Sequence, residues 1–181
     1  MGWPDLCERL LTRLETSGAD TTAERGEFAV LVAECGSSGW IMAINAYSWA
    51  KDGEKNLSPS FKVREFRCSD NTDPIFIDSE LVEILQKIRN HFGKPVNITS
   101  GFRTASKNAA IRNAAKFSQH LYGKAADIWI SGVTVEQIAA YAETLLPNRG
   151  GIGRYPKEGH ADRTHGWVHI DTRAAKSRWV S

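Results

Sequence analysis

"GGIGRY" (150–155) and "WVHID" (167–171) are the stretches whose reading decides the fold. Both have strand character, and the polar loop between them, "PKEGHADRTHG" (156–166), carries no helical pattern. Parallel neighbours need a long crossover, usually a helix, whereas antiparallel ones do not. The two strands therefore belong to a largely antiparallel sheet. Working outward, "AADIWI" (125–130) and "VNITS" (96–100) also read as strands. The clearest helix is "DSELVEILQKIRNHFGKP" (78–95), capped by Asp78 or Ser79, with Leu81, Ile84, Leu85, Ile88 and Phe92 on one face and Gly93 and Pro95 at its end. "TVEQIAAYAETLLP" (134–147) is a second helix, with a capping box from Thr134 to Gln137. An Ala-rich helix is expected over "TASKNAAIRNAA" (104–115). Strands and helices are mixed, so the fold class is α+β: a mostly antiparallel sheet flanked by helices.

The first part of the chain reads differently. "PDLCERLLTRLE" (4–15), "TTAERGEFAVLVAECG" (21–36) and "GWIMAINAYSWAKDG" (39–53) each carry apolar residues at helical spacing. The turn-rich "KDGEKNLSPS" (51–60) then marks a boundary. The expected organisation is a helical segment over residues 1–58 and a domain over 59–181. Residues 1–57 carry a balance of −4 and the remainder +6, within a total of +2. The basic part suits an anionic partner such as a cell wall or nucleic acid, and equally an ordinary solvated surface.

Other features exclude whole classes. A chain of 181 residues with 41% hydrophobic content is long enough to fill a core without staples. Cys7, Cys35 and Cys68 are odd in number and show no CxxC spacing, so neither a disulfide framework nor a thiolate zinc site is expected. No apolar signal region follows the first residues, and "FAVLVA" (28–33) is too short to span a bilayer. The expectation is a protein without a signal peptide or a membrane span.

The histidines draw attention to a site. Three of the five, His160, His165 and His169, fall within ten residues. In "WVHID" side chains alternate, so Trp167, His169 and Asp171 share one face, while Val168 and Ile170 turn to the core. The same parity in "AADIWI" places Asp127 with Ala125 and Trp129. In "SQHLYGKAADI" (118–128), His120 precedes a turn through Gly123 that can fold it back over that strand. Two imidazoles and one carboxylate suffice to hold a catalytic zinc at about 2.0–2.2 Å with a fourth position open, whereas structural zinc usually takes four protein ligands. Read alone, the His120–Asp127 spacing fits a hydrogen-bonded pair as well.

Taken together, "SGFRT" (100–104), "SQHLYGKAADI", "GGIGRY" and "WVHID" resemble the zinc D-Ala-D-Ala carboxypeptidase family. That family includes peptidoglycan carboxypeptidases, vancomycin-resistance dipeptidases and L-Ala-D-Glu endolysins, on a fold shared with hedgehog-type domains. The resemblance covers about residues 59–179, and its SxHxxGxAxD element is the most specific part. It implies one Zn2+ per chain held by His120, Asp127 and His169, with Arg103 stabilising the oxyanion and Ser118 hydrogen-bonding substrate. Without that context Arg103 reads as a surface salt bridge. Asp171 reads as a group that holds a ligand or substrate, or as an exposed strand-end acid. Many family members have an acidic base three residues before the last zinc histidine, and here that position is Gly166. His165, which shares the parity of His169 if the strand extends, is then the expected general base, since imidazole titrates near neutrality. His160, Asp162 and Glu158 are weaker candidates in the same loop.

The expected function is a zinc-dependent peptidase hydrolysing a bond of the peptidoglycan stem, as a D,D-carboxypeptidase or a phage-type endolysin endopeptidase. Such an enzyme would stay cytoplasmic until released at lysis, or reach the wall by another route. The alternative is a cell-wall binding module that retains zinc without turnover, which Gly166 supports. A third reading, nucleic-acid binding through the basic "TRAAKSRW" (172–179), matches no recognised motif. The expected partner is thus the stem peptide, with no nucleic acid.

Overall fold

The computed structural model describes residues 44–157 and 165–181. Met42–Ser181 form one compact unit. Strand β1 (Ile44–Tyr47) pairs antiparallel with β4 (Ile75–Asp78), and β2 (Asn56–Ser58) pairs with β3 (Phe61–Lys62). The main sheet has five strands in the order β5 (Val96–Ser100), β6 (Ala125–Ile130), β8 (Trp167–Asp171), β7 (Gly151–Tyr155), β9 (Ser177–Val180). Every neighbouring pair in it is antiparallel except β7 and β9. The helices are α1 (Trp49–Asp52), α2 (Ser79–Phe92), α3 (Ala105–Ala109) and α4 (Val135–Leu145). The fold is α+β with a mostly antiparallel sheet, as the strand pattern requires. No helix among the described residues is long and apolar enough to cross a membrane.

Local chemistry explains the longer helices. The Asp78 carboxylate accepts from the Glu80 amide at the start of α2, and Gly93 closes it in the left-handed conformation. Thr134 and Gln137 cap α4 reciprocally. Leu81, Ile84, Leu85 and Ile88 of α2 and Ile138 and Ala142 of α4 are buried in one core with Ile128, Ile152, Val168 and Ile170 of the sheet. Full burial of each large aliphatic side chain is worth about 1.5–3 kcal/mol. The sheet is thus supported from its core face without help from its other side.

That other side is organised by register. Pairing sets Asp127, His169, Gly153 and Trp179 in one row across β6, β8, β7 and β9. The next row is Ala125, Asp171, Gly151 and Ser177. On the opposite flank Trp167 stands across from Tyr155, with Trp129 on the same face of β6.

Three expectations need correction. The helix expected over 39–53 is instead β1 followed by the single turn α1, because residues 44–47 join a ladder with β4, from Ile44↔Asp78 to Tyr47↔Ile75. Residues 44–58 therefore belong to the compact unit that carries the site, and the boundary expected at 58 lies too late. The helices expected over 4–15 and 21–36 lie outside the described residues. The Ala-rich helix stops at Ala109. Asn108 in its last turn donates to the Ala115 carbonyl, and beyond the helix Asn113 takes a positive φ of 62°, incompatible with a continuing helix.

Candidate metal centre

His120 lies in a 3-10 turn, Gln119–Tyr122, that Gly123 closes with a φ of 67° directly before β6. Its Nδ1 is 2.6 Å from the Gly101 carbonyl. A carbonyl only accepts, so Nδ1 carries the proton and Nε2 the lone pair. His169 presents Nε2 to the Asp171 carboxylate and Nδ1 to Asp127 Oδ1, each at 2.9 Å, so both of its ring nitrogens face carboxylates. Nε2 of His120 and Nδ1 of His169 are 3.2 Å apart. Asp127 Oδ1 lies 2.9 Å from Nδ1 of His169 and 3.3 Å from Nε2 of His120.

Nε2 of His120, Nδ1 of His169 and Oδ1 of Asp127 converge on one point, and with Nε2–H of His169 donating to Asp171 all three would offer electron pairs to a cation placed there. Tetrahedral zinc with bonds of about 2.0–2.1 Å spaces its ligand atoms about 3.3 Å apart, so the triangle fits. All three residues are buried. Burial alone would push the Asp127 carboxyl up, but the charges and hydrogen bonds of His120 and His169 outweigh it and hold it well below the usual carboxylate range. Burial likewise works against charge on His169, yet its bonds to Asp127 and Asp171 raise its pKa.

Arg103 is drawn into this site, with only 15% of its side chain exposed. Nη2 donates to Asp127 Oδ2 and Nε to the Ser100 hydroxyl, each at 2.9 Å. Ser118 starts the turn that carries His120, and its hydroxyl caps no backbone group there. Of the two roles offered for Asp171, holding a ligand or holding substrate, its full burial and the protein donors on both oxygens favour the first. It holds the His169 ring.

His165 stacks on Trp129, with centroids 4.0 Å apart and planes 17° apart. Nδ1 donates to the Gly166 carbonyl at 3.1 Å, and Nε2 has no protein partner among the described residues. The ring makes no bond to His120, Asp127 or His169. Glu158, His160 and Asp162 lie outside the described residues. Gly166 points to the core side of β8, where an added Cβ would overlap the Tyr155 carbonyl and the Val135 side chain. An acidic side chain at that position has neither room nor a path to the metal face.

Several contributors escape a reading of the sequence. Trp179 packs over His169 with centroids 5.2 Å apart and donates to the Tyr155 hydroxyl at 2.9 Å. Tyr155 and Trp167 stack at 4.5 Å. Gly151 and Gly153 leave the space that the Asp171 carboxylate and the Trp179 indole occupy. Glycines at alternate positions of a strand, in "GGIGRY", were the available signal. The basic "TRAAKSRW" is largely committed within the fold: Arg173 pairs with Asp171, and Lys176 and Arg178 pair with Glu143.

An α+β sheet presenting two imidazoles, a carboxylate and an adjacent arginine is the kind of site used by metal-dependent hydrolases. The chain belongs to the Peptidase M15 family, whose pattern matches residues 59–171. Members of this family are zinc-dependent peptidases. The chain is 35% identical over 106 residues to the peptidoglycan L,D-endopeptidase MepK of Escherichia coli, covering 55% of this chain and 53% of that protein. It is 33% identical over 103 residues to the probable peptidoglycan L,D-endopeptidase MepK of Haemophilus influenzae, covering 53% and 50%. It thus spans about half the length of these relatives. No solved structure matches it significantly.

Proposed function

We propose that this chain is a zinc-dependent peptidase that hydrolyses a peptide bond of the peptidoglycan stem. The observation that carries the reading is the triangle of potential ligand atoms on His120, Asp127 and His169, with edges of 2.9–3.3 Å. These three residues would hold one zinc ion. When bound, zinc supplies a Lewis acid that polarises a carbonyl and makes water acidic enough to deprotonate near neutral pH. Arg103, anchored through Asp127 and Ser100, presents its guanidinium to the oxygen that gains charge as the carbonyl is attacked. His165, with Nε2 unprotonated, takes the proton from the attacking water and returns it to the leaving amine. Ser118 hydrogen-bonds the substrate.

The names of the two relatives support an endopeptidase acting at an L,D junction over a D,D-carboxypeptidase. The place of action is the cell wall, reached at lysis or by another route. Digestion of purified peptidoglycan by the zinc-loaded protein, with new ends identified by mass spectrometry, tests the proposal. New termini between an L and a D centre are expected. Release of terminal D-alanine alone would make it a carboxypeptidase, and an unchanged digest would leave a zinc-retaining binding module.

A further inference from the structure

We infer that Arg173 is a positioning residue for this metal centre: it clamps the Asp171 carboxylate, which in turn fixes the His169 ring with Nδ1 toward Asp127 and His120. The inference rests on the reading of that triangle as a zinc site. Rotation of the imidazole by half a turn would carry Nδ1 away and place a carbon in its stead. What opposes that rotation is the bond from Nε2 to Asp171, and the carboxylate must itself be held.

Arg173 holds it with a fork. Nε lies 2.8 Å from Oδ1 and Nη2 lies 2.6 Å from Oδ2, so two nearly parallel bonds define the carboxylate plane. The Gly151 and Arg173 amides add bonds to Oδ1 at 3.0 and 3.1 Å. Oδ2 then meets the imidazole. Without the guanidinium, Oδ2 keeps only His169 as a donor, and the carboxylate is held by the two amides at Oδ1 alone, with no fork to define its plane. Trp179 flanks both ends of the chain of contacts, 5.2 Å from the His169 ring and 5.7 Å from the Arg173 guanidinium.

Two further observations set Arg173 apart. It lies beyond the residues that match the family, so the clamp comes from the segment leading into β9. The backbone there is pinned without the arginine side chain: the Gly150 amide bonds the Arg173 carbonyl, the Thr172 amide bonds the Lys124 carbonyl, and the Thr172 hydroxyl bonds Asp78. Substitution of Arg173 should therefore leave the fold standing. Groups that orient a metal-binding histidine commonly alter metal affinity by about 10–100-fold.

The test uses the full chain, with zinc dissociation constants measured by chelator competition. In parallel, Overhauser contacts of the His169 ring protons report which way the imidazole faces. Arg173→Ala should weaken zinc binding by about 10–100-fold and let the His169 ring populate both orientations. Arg173→Lys should fall between, because an ammonium restores the charge but not the fork, and it carries the test if the alanine variant does not fold. Affinity within about twofold of wild type in Arg173→Ala, with the ring orientation unchanged, would overturn the inference. So would wild-type affinity in Arg173→Lys. A wild-type chain that binds no zinc would reject the proposed function instead, while the ring orientation would still decide the role of Arg173.

Discussion

Nε2 of His120 and Nδ1 of His169 face each other at 3.2 Å, while the Gly101 carbonyl holds the other nitrogen of His120 and the Asp171 carboxylate that of His169. On the proposed reading this pair shares a zinc ion with Asp127. Metal analysis should find one zinc per chain, and His120→Ala, Asp127→Ala and His169→Ala should each lose it. The far-ultraviolet dichroism of the three variants should stay near that of wild type, since the core lies on the other side of the sheet. Full zinc occupancy in Asp127→Ala would refute the ligand set.

Arg103→Ala should lower kcat by on the order of a hundredfold or more, with a much smaller change in KM, because the guanidinium is used most as charge develops on the oxygen. Steady-state kinetics at saturating zinc measure this. An increase in KM with kcat preserved would make Arg103 a ground-state clamp.

His165→Ala should remove about two to four orders of magnitude of kcat/KM with zinc retained. Gly166→Glu should not rescue it, because that side chain would collide with Tyr155 and Val135 on the wrong side of the strand. Near-wild-type rates in His165→Ala would move the proton transfer to another group.

A chain beginning at residue 42 should keep its zinc and melt at least about 5 °C above one beginning at 59. The longer form retains β1, which covers the edge of β4, and the bonds from Ser48 and Trp49 to Asp73. Equal melting of the two forms, followed by calorimetry, would show that β1 contributes nothing.

Asp78 offers a pH signature away from the metal. Burial pushes its carboxyl up, against the opposing bond from Thr172 and the charges of Lys124 and Arg149. Its folded-state pKa thus exceeds the unfolded value of about 3.9, so its stabilising contribution is complete below that value and is lost as pH rises through the folded one. Asparagine keeps the cap without the charge. Urea unfolding should show Asp78→Asn gaining on wild type as pH rises above about 4, and a difference constant with pH would contradict this.

Much of the site was legible because strand parity is local. Reading "AADIWI" and "WVHID" at a period of two is enough to put Asp127 and His169 on faces that can meet, and a glycine three residues after His120 suggests the turn back. What was not legible depends on partners distant in sequence. Residues 44–47 carry a helical pattern, and only pairing with residues 75–78 makes them a strand. Strand parity offers Asp171 a role in holding a ligand, but its burial and its clamp follow only from register, which places Gly151 against it, and from the turn after β8, which returns Arg173 to it. Trp179 sits in a stretch whose charges dominate its reading, although pairing of β9 with β7 brings it onto the metal row.

The two-residue alternation of β8 has a consequence for how this protein can change. Trp167, His169 and Asp171 serve the metal face while Val168 and Ile170, both fully buried, serve the core. One inserted or deleted residue inside this strand would exchange the two sets, driving imidazole and carboxylate into the hydrophobic interior as two aliphatic side chains emerged opposite Asp127. Substitutions in β8 can be compensated one at a time, but a change of its length cannot, so any lengthening or shortening tolerated by the chain must fall in the turns at either end of the strand.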